Sequence, residues 1–494
     1  MPPLSDAYVE ACYQIVFAKE TAPYGGYEAV EAFIRELIDQ ATPEEREIIF
    51  KSILPVLNAS RDPDVINNII KKLGAIGARR LLERHDQRLM DTTFAPFIEA
   101  VRGADKCVVF VAHTPLFVIL REAMYLKRNG YSVYLASVWA VPEFIQEVFD
   151  NHFDGVVYTF GSFRIMRRML AALEPDIFHV QCWMWFYFLG RMAIEAKGQA
   201  MVVCEFFDIT SLYAEREVLC RHWKPASVDF DFAMERFILH HADAVVHRFP
   251  ADVIGEWKDF HGARIADLEM HPFACPEFVS YKDDKPPRRG NEIRLVYAGT
   301  VVPENKSYPI ELFPEARRLQ AIRSMLEQGM EVYVFPTPYS PVNETDEEYA
   351  AYFEMLKRNP GLHFLDSVPP DKLAETISVY DYGILLSDID LDLIKVKDAL
   401  MRGAVGTKLF AYLEAGLPVL VNAEYREMAR IVTEHGVGMA VKSSEIPRLR
   451  EILEGYDYEK AVVNIRRYNE EHGMDKAIHS LIALYDGALK EKVS

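Results

Sequence analysis

The feature that most constrains this chain is an alternation of strand-length and helix-length segments that occurs twice. The first series starts at Cys107 with CVVFVAHTP, a buried strand and turn, followed by a helix over 117–129, Gly130 and the strand YSVYLASVW. It continues through DGVVYTF, a helix over 162–173, DIFHVQCW, a helix over 187–197 and AMVVCEFFD. A helix over 230–241, AVVHRF, a helix over 251–260 and a short strand near LEMHPFA complete it. The second series runs from EIRLVYAGT through a helix over 311–328, MEVYVFPTP, GLHFLD and a helix over 371–380 to YGILLS. PVLVN, a helix over 425–435 and GMAVK close it. Parallel neighbours need a crossover connection, so strands spaced by helices in this way specify parallel, doubly wound sheets. The polar, proline-containing stretch DDKPPRRGN over 283–291 separates the two series and is the domain boundary.

Four regions follow: a helical extension over 1–100, an α/β domain over 101–285, a second over 290–475 and a C-terminal helix over 476–494. The extension reads as helices over 7–19, 27–40, 43–59, 62–73 and 76–84, with no cluster of chemistry. Two doubly wound domains joined by a linker create a cleft between the carboxyl edges of their strands, where ligands settle in such sheets.

Within the second series, GAVGTKLFAYLEAGLPVLVN over 403–422 carries the strongest functional signal. A turn containing Gly403 and Gly406 opens a short helix with Leu409, Phe410 and Leu413 on one face, and Ala415-Gly416 ends it. No acid occupies the first turn; Lys408 sits there instead. A helix start carries roughly half a positive charge, so a cation there costs about 0.3–1 kcal/mol. The cost disappears when an anion lies between Lys408 and the free N–H groups of Gly406, Thr407 and their neighbours, and a phosphate-bearing ligand suits that role. A solvated surface lysine that tolerates the cost is the competing reading.

Composition narrows the partners. A net charge of −19 over 494 residues argues against general affinity for nucleic acid or anionic membrane, leaving local contact with a membrane surface open. The six cysteines are scattered without paired spacing, several within apolar runs, which fits a reducing compartment. The longest apolar segments, CVVFVAHTPLFVIL and CWMWFYFLG, fall short of a membrane span. MPPLSDAYVEACYQ has no basic segment followed by an apolar one, so the expectation is a cytoplasmic protein.

RLVYAG, LHFLDSVPPDKLAETISVYDYGILLS, GTKLFAYLEAGLPVLVN and GVGMAV, in that order, resemble the donor domain of GT-B glycosyltransferases of the large retaining family four. DIFHVQ, VVCEFFD and ERFILHHADAVVHRF extend the resemblance into the first half, over about residues 105–475. The resemblance implies two Rossmann-like domains, with a nucleotide-sugar donor on the second and an acceptor on the first. It also implies transfer without a bound metal or a separate cofactor. In that family an Arg after the AG-type glycine and a nearby Lys grip the donor diphosphate. Here Thr300 follows Gly299, and Lys306 takes the lysine position one residue late. The family's paired glutamates fall at Gly403 and Ala411, neither acidic, with Glu414 one turn on and able to reach a ribose hydroxyl from a similar face. The family's catalytic-site His falls at Gln181, while His179 reads as a core residue.

Glycosyl transfer must stabilise a departing nucleoside diphosphate and an oxocarbenium-like sugar, and Lys306, Lys408 and the Gly406–Thr407 N–H groups supply the positive field. A retaining reaction needs no enzymic base if the leaving phosphate oxygen takes the acceptor's proton. An inverting one needs a base at the cleft edge, where Asp208 and His113 end their strands. Simpler roles compete: a cap for Asp208, a backbone-bonded turn for His113, and a partner base across the core for Glu205. Asp229-Phe-Asp231 precedes a helix and reads as a cap. Asp388, Asp390 and Asp392 read as a solvated acidic loop, lacking a calcium loop's glycine and glutamate. Trp183, Trp185, Phe186 and Tyr187 either stack an acceptor or pack the core.

Signatures of serine hydrolases, zinc proteases, P-loop enzymes and dinucleotide-binding dehydrogenases are absent from the sequence. Three readings stay open: an active transferase, a scaffold that kept the fold and lost the chemistry, and another nucleotide-sugar enzyme such as an epimerase. The nucleotide, the sugar, the acceptor (glycan, lipid or protein), the stereochemical course and the oligomeric state are open too.

Overall fold

The computed structural model describes residues 5–18, 39, 42–48, 51, 79–159, 161–282, 292–303, 305, 308–340 and 342–493. Both alternations fold into parallel sheets. The first holds β1 (Cys107–Ala112), β2 (Ser132–Ser137), β3 (Gly155–Tyr158), β4 (Ile177–Cys182), β5 (Met201–Phe206), β6 (Ala244–His247) and β7 (Ala266–Glu269). Their order is β3-β2-β1-β4-β5-β6-β7, with Val108 opposite Val133 on one side and Ile177 on the other. The second sheet holds β8 (Arg294–Gly299), β9 (Glu331–Pro336), β10 (Leu362–Phe364), β11 (Tyr382–Leu385), β12 (Val419–Asn422) and β13 (Gly438–Val441). Their order is β10-β9-β8-β11-β12-β13. Every residue of β1, β4 and β5 is buried, as strands covered on both faces are, including the polar His179, Gln181 and Glu205. The strand order reverses between β1 and β4 and between β8 and β11, the places where such sheets open a crevice.

Eight helices carry the rest of the argument: α1 (Asp6–Ala18), α2 (Phe117–Arg128), α3 (Pro225–His241), α4 (Ala350–Arg358), α5 (Asp398–Gly403), α6 (Lys408–Glu414), α7 (Arg426–Glu434) and α8 (Met474–Val493). α1 is anchored to the first lobe through Tyr13, which is fully buried, lies 3.7 Å from the Arg191 guanidinium and donates to Glu195 at 2.8 Å. Of the expected helix over 27–40 only residue 39 is described, and of that over 43–59 only 43–48 and 51; the helix over 62–73, the whole linker over 283–291 and Lys306 lie outside the described residues.

Three elements differ from the sequence expectation. The helix expected over 311–328 is split, because Pro314 opens a 3-10 turn over Pro314–Arg317 before the α-helix Arg318–Glu327. α4 is the crossover between β9 and β10 that pattern reading passed over. The helix set apart at the C-terminus returns to the first lobe: Met474, Ile478, Leu481 and Tyr485 are buried among Val108, Phe110, Leu135 and Val203. Among the described residues no helix is long and apolar enough to cross a membrane, and all six cysteines are free thiols.

Candidate functional site

A cavity of about 420 Å³ lies at the carboxyl ends of β1, β4, β8 and β9, so both lobes line it. The first lobe contributes Leu116, Phe117, Arg121 and Trp183; the second contributes Gly299, Thr300, Thr407, Lys408 and Ala411, with the loop after β9. Its volume suits a small organic ligand, and its walls are mainly apolar with a few polar groups.

The placement of Lys408 follows from how α6 is seated. Tyr412 is fully buried, and its hydroxyl accepts from Ala298 N at 2.9 Å and donates to Ile384 O at 3.3 Å, clamping the helix across β8 and β11. The ring occupies the space a side chain at Gly383 would need, since a Cβ there would stand 2.3 Å from Tyr412 Cγ. Lys408 then lies across Gly299, whose φ of +150° and lack of a side chain make room for it. A Cβ on Gly299 would meet Lys408 Cε at 1.8 Å. The ammonium is 5.9 Å from the Tyr297 ring centroid, and among the described residues no carboxylate lies in ion-pair range of it. Tyr297 donates to Thr300 O at 2.5 Å and accepts from Arg318 at 2.9 Å, placing a second cation behind the same loop. Gly406 donates its N–H to the weak acceptor Met428 Sδ at 3.3 Å.

Gly299, Thr300, Thr407 and Lys408 are thus brought together, with Gly406 beside them. Glu414 is not. It is 1% exposed, faces the other lobe and accepts from Arg121 Nη1 at 2.5 Å, Arg121 Nη2 at 2.7 Å and Cys275 N at 2.7 Å. Burial pushes its pKa up and Arg121 opposes that. The expected ribose contact is therefore corrected to an interlobe ion pair, because both oxygens are taken and the residue does not line the cavity.

On the first lobe neither His113 nor Asp208 lines the cavity. The His113 ring lies 3.6 Å from the Phe186 centroid and edge-on to Trp183 at 6.5 Å, and burial lowers its pKa to about 4. Asp208 follows β5; its carbonyl accepts from Tyr187 at 2.7 Å, and burial raises its carboxyl pKa against the pull of Arg248. Glu205 is paired across the core with Arg248 at 3.2 Å. The aromatic stretch divides its roles. Tyr187 is fully buried, Phe186 stacks on His113, Trp183 lines the cavity, and Trp185 is 44% exposed with a φ of +71°. Trp183 Nε1 is buried and has no hydrogen-bond partner among the described residues, which leaves this donor for a ligand.

The acidic motifs are structural here. Asp229 and Asp231 lie inside α3 rather than capping it. Asp229 binds Arg216 at 2.5 Å, and Asp231, its pKa raised to about 8 by burial, accepts from Trp185 N at 3.0 Å and Thr210 at 3.1 Å. Arg317 pairs with Asp388 at 2.5 Å and with Asp390 at 3.8 Å. Trp183, expected either to stack an acceptor or to pack the core, lines the cavity, and Arg121 is a charged cavity residue that sequence reading missed. The position of Trp183 just after β4 was a signal; Arg121 lies in an ordinary amphipathic helix and gave none.

Comparison with known proteins agrees with this architecture. Residues 342–476 match the model of the glucosyltransferase 3-like C-terminal domain. No curated protein matches the chain. Among solved structures, the sucrose-phosphate synthase of Thermosynechococcus elongatus superposes with a TM-score of 0.55 at 9% identity, covering 78% of this chain and all of that one. Anabaena HepE, solved in complex with UDP and glucose, superposes with a TM-score of 0.53 at 10% identity, over 78% of this chain and all of that one. At these identities the likeness is one of fold, and the fold is GT-B.

Proposed function

We propose that the chain is a glycosyltransferase that binds a nucleoside diphosphate sugar in the interlobe cavity and passes the sugar to an acceptor held by the first lobe. The observation that carries this reading is Lys408, a cation with no carboxylate partner among the described residues, laid over Gly299 inside a largely apolar cavity. In such surroundings a charge calls for a counter-charge, and a diphosphate between Lys408 and the Thr300 and Thr407 hydroxyls supplies it. Lys306 belongs to the same proposed set. As the sugar–phosphate bond breaks, negative charge grows on the leaving oxygen, and Lys408 stabilises it more in the transition state than in the ground state.

In a retaining transfer the leaving phosphate oxygen accepts the acceptor hydroxyl's proton, so no enzymic base is needed. Asp208 and His113 are the groups that would serve an inverting one. The glucosyltransferase 3-like match supports a hexose donor, and the UDP bound by HepE makes uridine the first base to test. A cytoplasmic setting fits six free thiols.

The degenerate scaffold remains a second reading on one observation. At Gly403, where the family places an acid, an added Cβ would meet Phe249 Cδ1 at 3.0 Å and Pro250 Cδ at 3.1 Å, so an acidic side chain there requires those neighbours to shift. Calorimetric titration with UDP, GDP and ADP tests the site. We expect one nucleotide to bind wild type, and Lys408→Ala to weaken it about tenfold or more, roughly 1.4 kcal/mol of charge-assisted bonding. Unchanged affinity would remove the assignment. Turnover of the matching donor sugars then separates enzyme from scaffold.

A further inference from the structure

On the face of the first sheet covered by α2 and α8 lies a polar cluster that the cleft does not use. Glu122 projects from α2, His179 from β4 and Glu205 from β5, and each is at most 1% exposed. One ligand atom from each (Glu122 Oε2, His179 Nε2, Glu205 Oε2) lies within 4.8 Å of the other two, and His179 Nε2 is 3.8 Å from each carboxylate oxygen. Among the described residues none of the three atoms has a hydrogen-bond partner. Buried polar atoms are nearly always satisfied, so three orphans facing one point call for an occupant. At 3.8 Å they are too far apart to bond one another. Tetrahedral ligands at about 2.0–2.2 Å from an ion stand about 3.3–3.6 Å apart, so a small inward movement of the three side chains lets them share one.

The surroundings are arranged for such an ion. Tyr485 of α8 meets His179 Nδ1 at 2.6 Å, which turns Nε2 toward the carboxylates and supplies the outer partner that a ligating imidazole usually has. Arg248 donates to the other oxygen of Glu205 at 3.2 Å. Two buried carboxylates meet one guanidinium, and among the described residues no second Arg or Lys pairs with them, so a divalent cation would supply the missing positive charge.

We infer that Glu122, His179 and Glu205 hold a zinc ion that ties α2 to β4 and β5 and, through Tyr485, fastens the C-terminal helix to the first lobe. One imidazole nitrogen and two carboxylate oxygens form a zinc-type set, with a water completing the tetrahedron. The ion is structural, since none of the three residues lines the interlobe cavity. It is independent of how donor is bound.

The test is elemental analysis of the full chain, purified from zinc-supplemented culture and dialysed into metal-free buffer, with thermal unfolding before and after a strong chelator. The expected result is about one zinc per chain, a melting temperature lowered by chelation and restored by added Zn²⁺, and no zinc in the Glu122→Gln, Glu205→Gln double variant. Clearly substoichiometric zinc, with a melting temperature indifferent to both chelator and Zn²⁺, would overturn the inference whether or not the variant folds. So would a folded double variant that keeps its zinc.

Discussion

A methyl group on Gly299 would stand 1.8 Å from Lys408 Cε, so Gly299→Ala must displace the lysine or the strand end beneath it. We expect this variant to lose nucleotide affinity by about tenfold, as Lys408→Ala does, because both remove the same charge from the same place. Gly255, inside a helix with open space around its Cα, is the control: Gly255→Ala should leave binding unchanged and stabilise the fold by about 0.5–1 kcal/mol. Calorimetry and thermal melts on the two variants decide this. His113 gives a pH prediction. Its folded pKa of about 4 lies below the ordinary value of 6.5, so the native state favours the neutral ring. Stability from this group is present above pH 6.5 and is lost as pH falls from 6.5 toward 4. Melting temperatures at pH 7, 6 and 5 should fall in wild type and fall less in His113→Gln; equal slopes would contradict the shift. At this scale Lys408 was legible because a cation at a helix start breaks a rule of sign. Glu414 was misread because a carboxylate near the end of a helix looks the same whether it meets a sugar or a partner lobe. Asp231 was misread as a cap because its donors come from Trp185 and Thr210, many residues away.

Elements were read best where burial is two-sided. β1 is an unbroken apolar run, and β4, β5 and β8 are apolar except for one or two polar residues each, so their type and order follow from burial and crossover geometry. α4 was passed over although Tyr349, Tyr352, Phe353 and Leu356 recur at helical spacing, because short aromatic stretches satisfy a strand pattern as well. α5 and α6 are brief, six and seven residues, and owe their positions to tertiary contacts. The contact of α2 with α6 through Arg121 and Glu414 belongs here. Both side chains are at most 2% exposed, so breaking the pair strands a buried charge. Glu414→Gln should cost on the order of 3–5 kcal/mol, whereas the paired change Arg121→Met with Glu414→Leu should cost less than either single change. Urea midpoints of Glu414→Gln, Arg121→Met, Glu414→Leu and the double variant test this; additive losses across the last three would mean the two residues act separately.

At the scale of the molecule, the lobes meet around the cavity through contacts that no local pattern announces. Tyr339 donates to Pro115 O at 2.8 Å, Tyr213 to Leu312 O at 2.5 Å, and Arg402 reaches Glu256 at 2.5 Å and also pairs with Asp252. The two-domain plan was legible because each sheet is written as a separate series with a polar break between them. The return of α8 to the first lobe was not, since its apolar stripe fits either sheet. A ligand held between such lobes stabilises the whole: at a hundred times its Kd, the bound nucleotide should add about 2.7 kcal/mol to wild type. The most direct test of the central claim is a crystal structure of the chain with the nucleoside diphosphate that binds most tightly. The account predicts the diphosphate within hydrogen-bond distance of Lys408 Nζ and Thr407, between the two lobes. A nucleotide bound elsewhere, with Lys408 lying empty over Gly299, would contradict it.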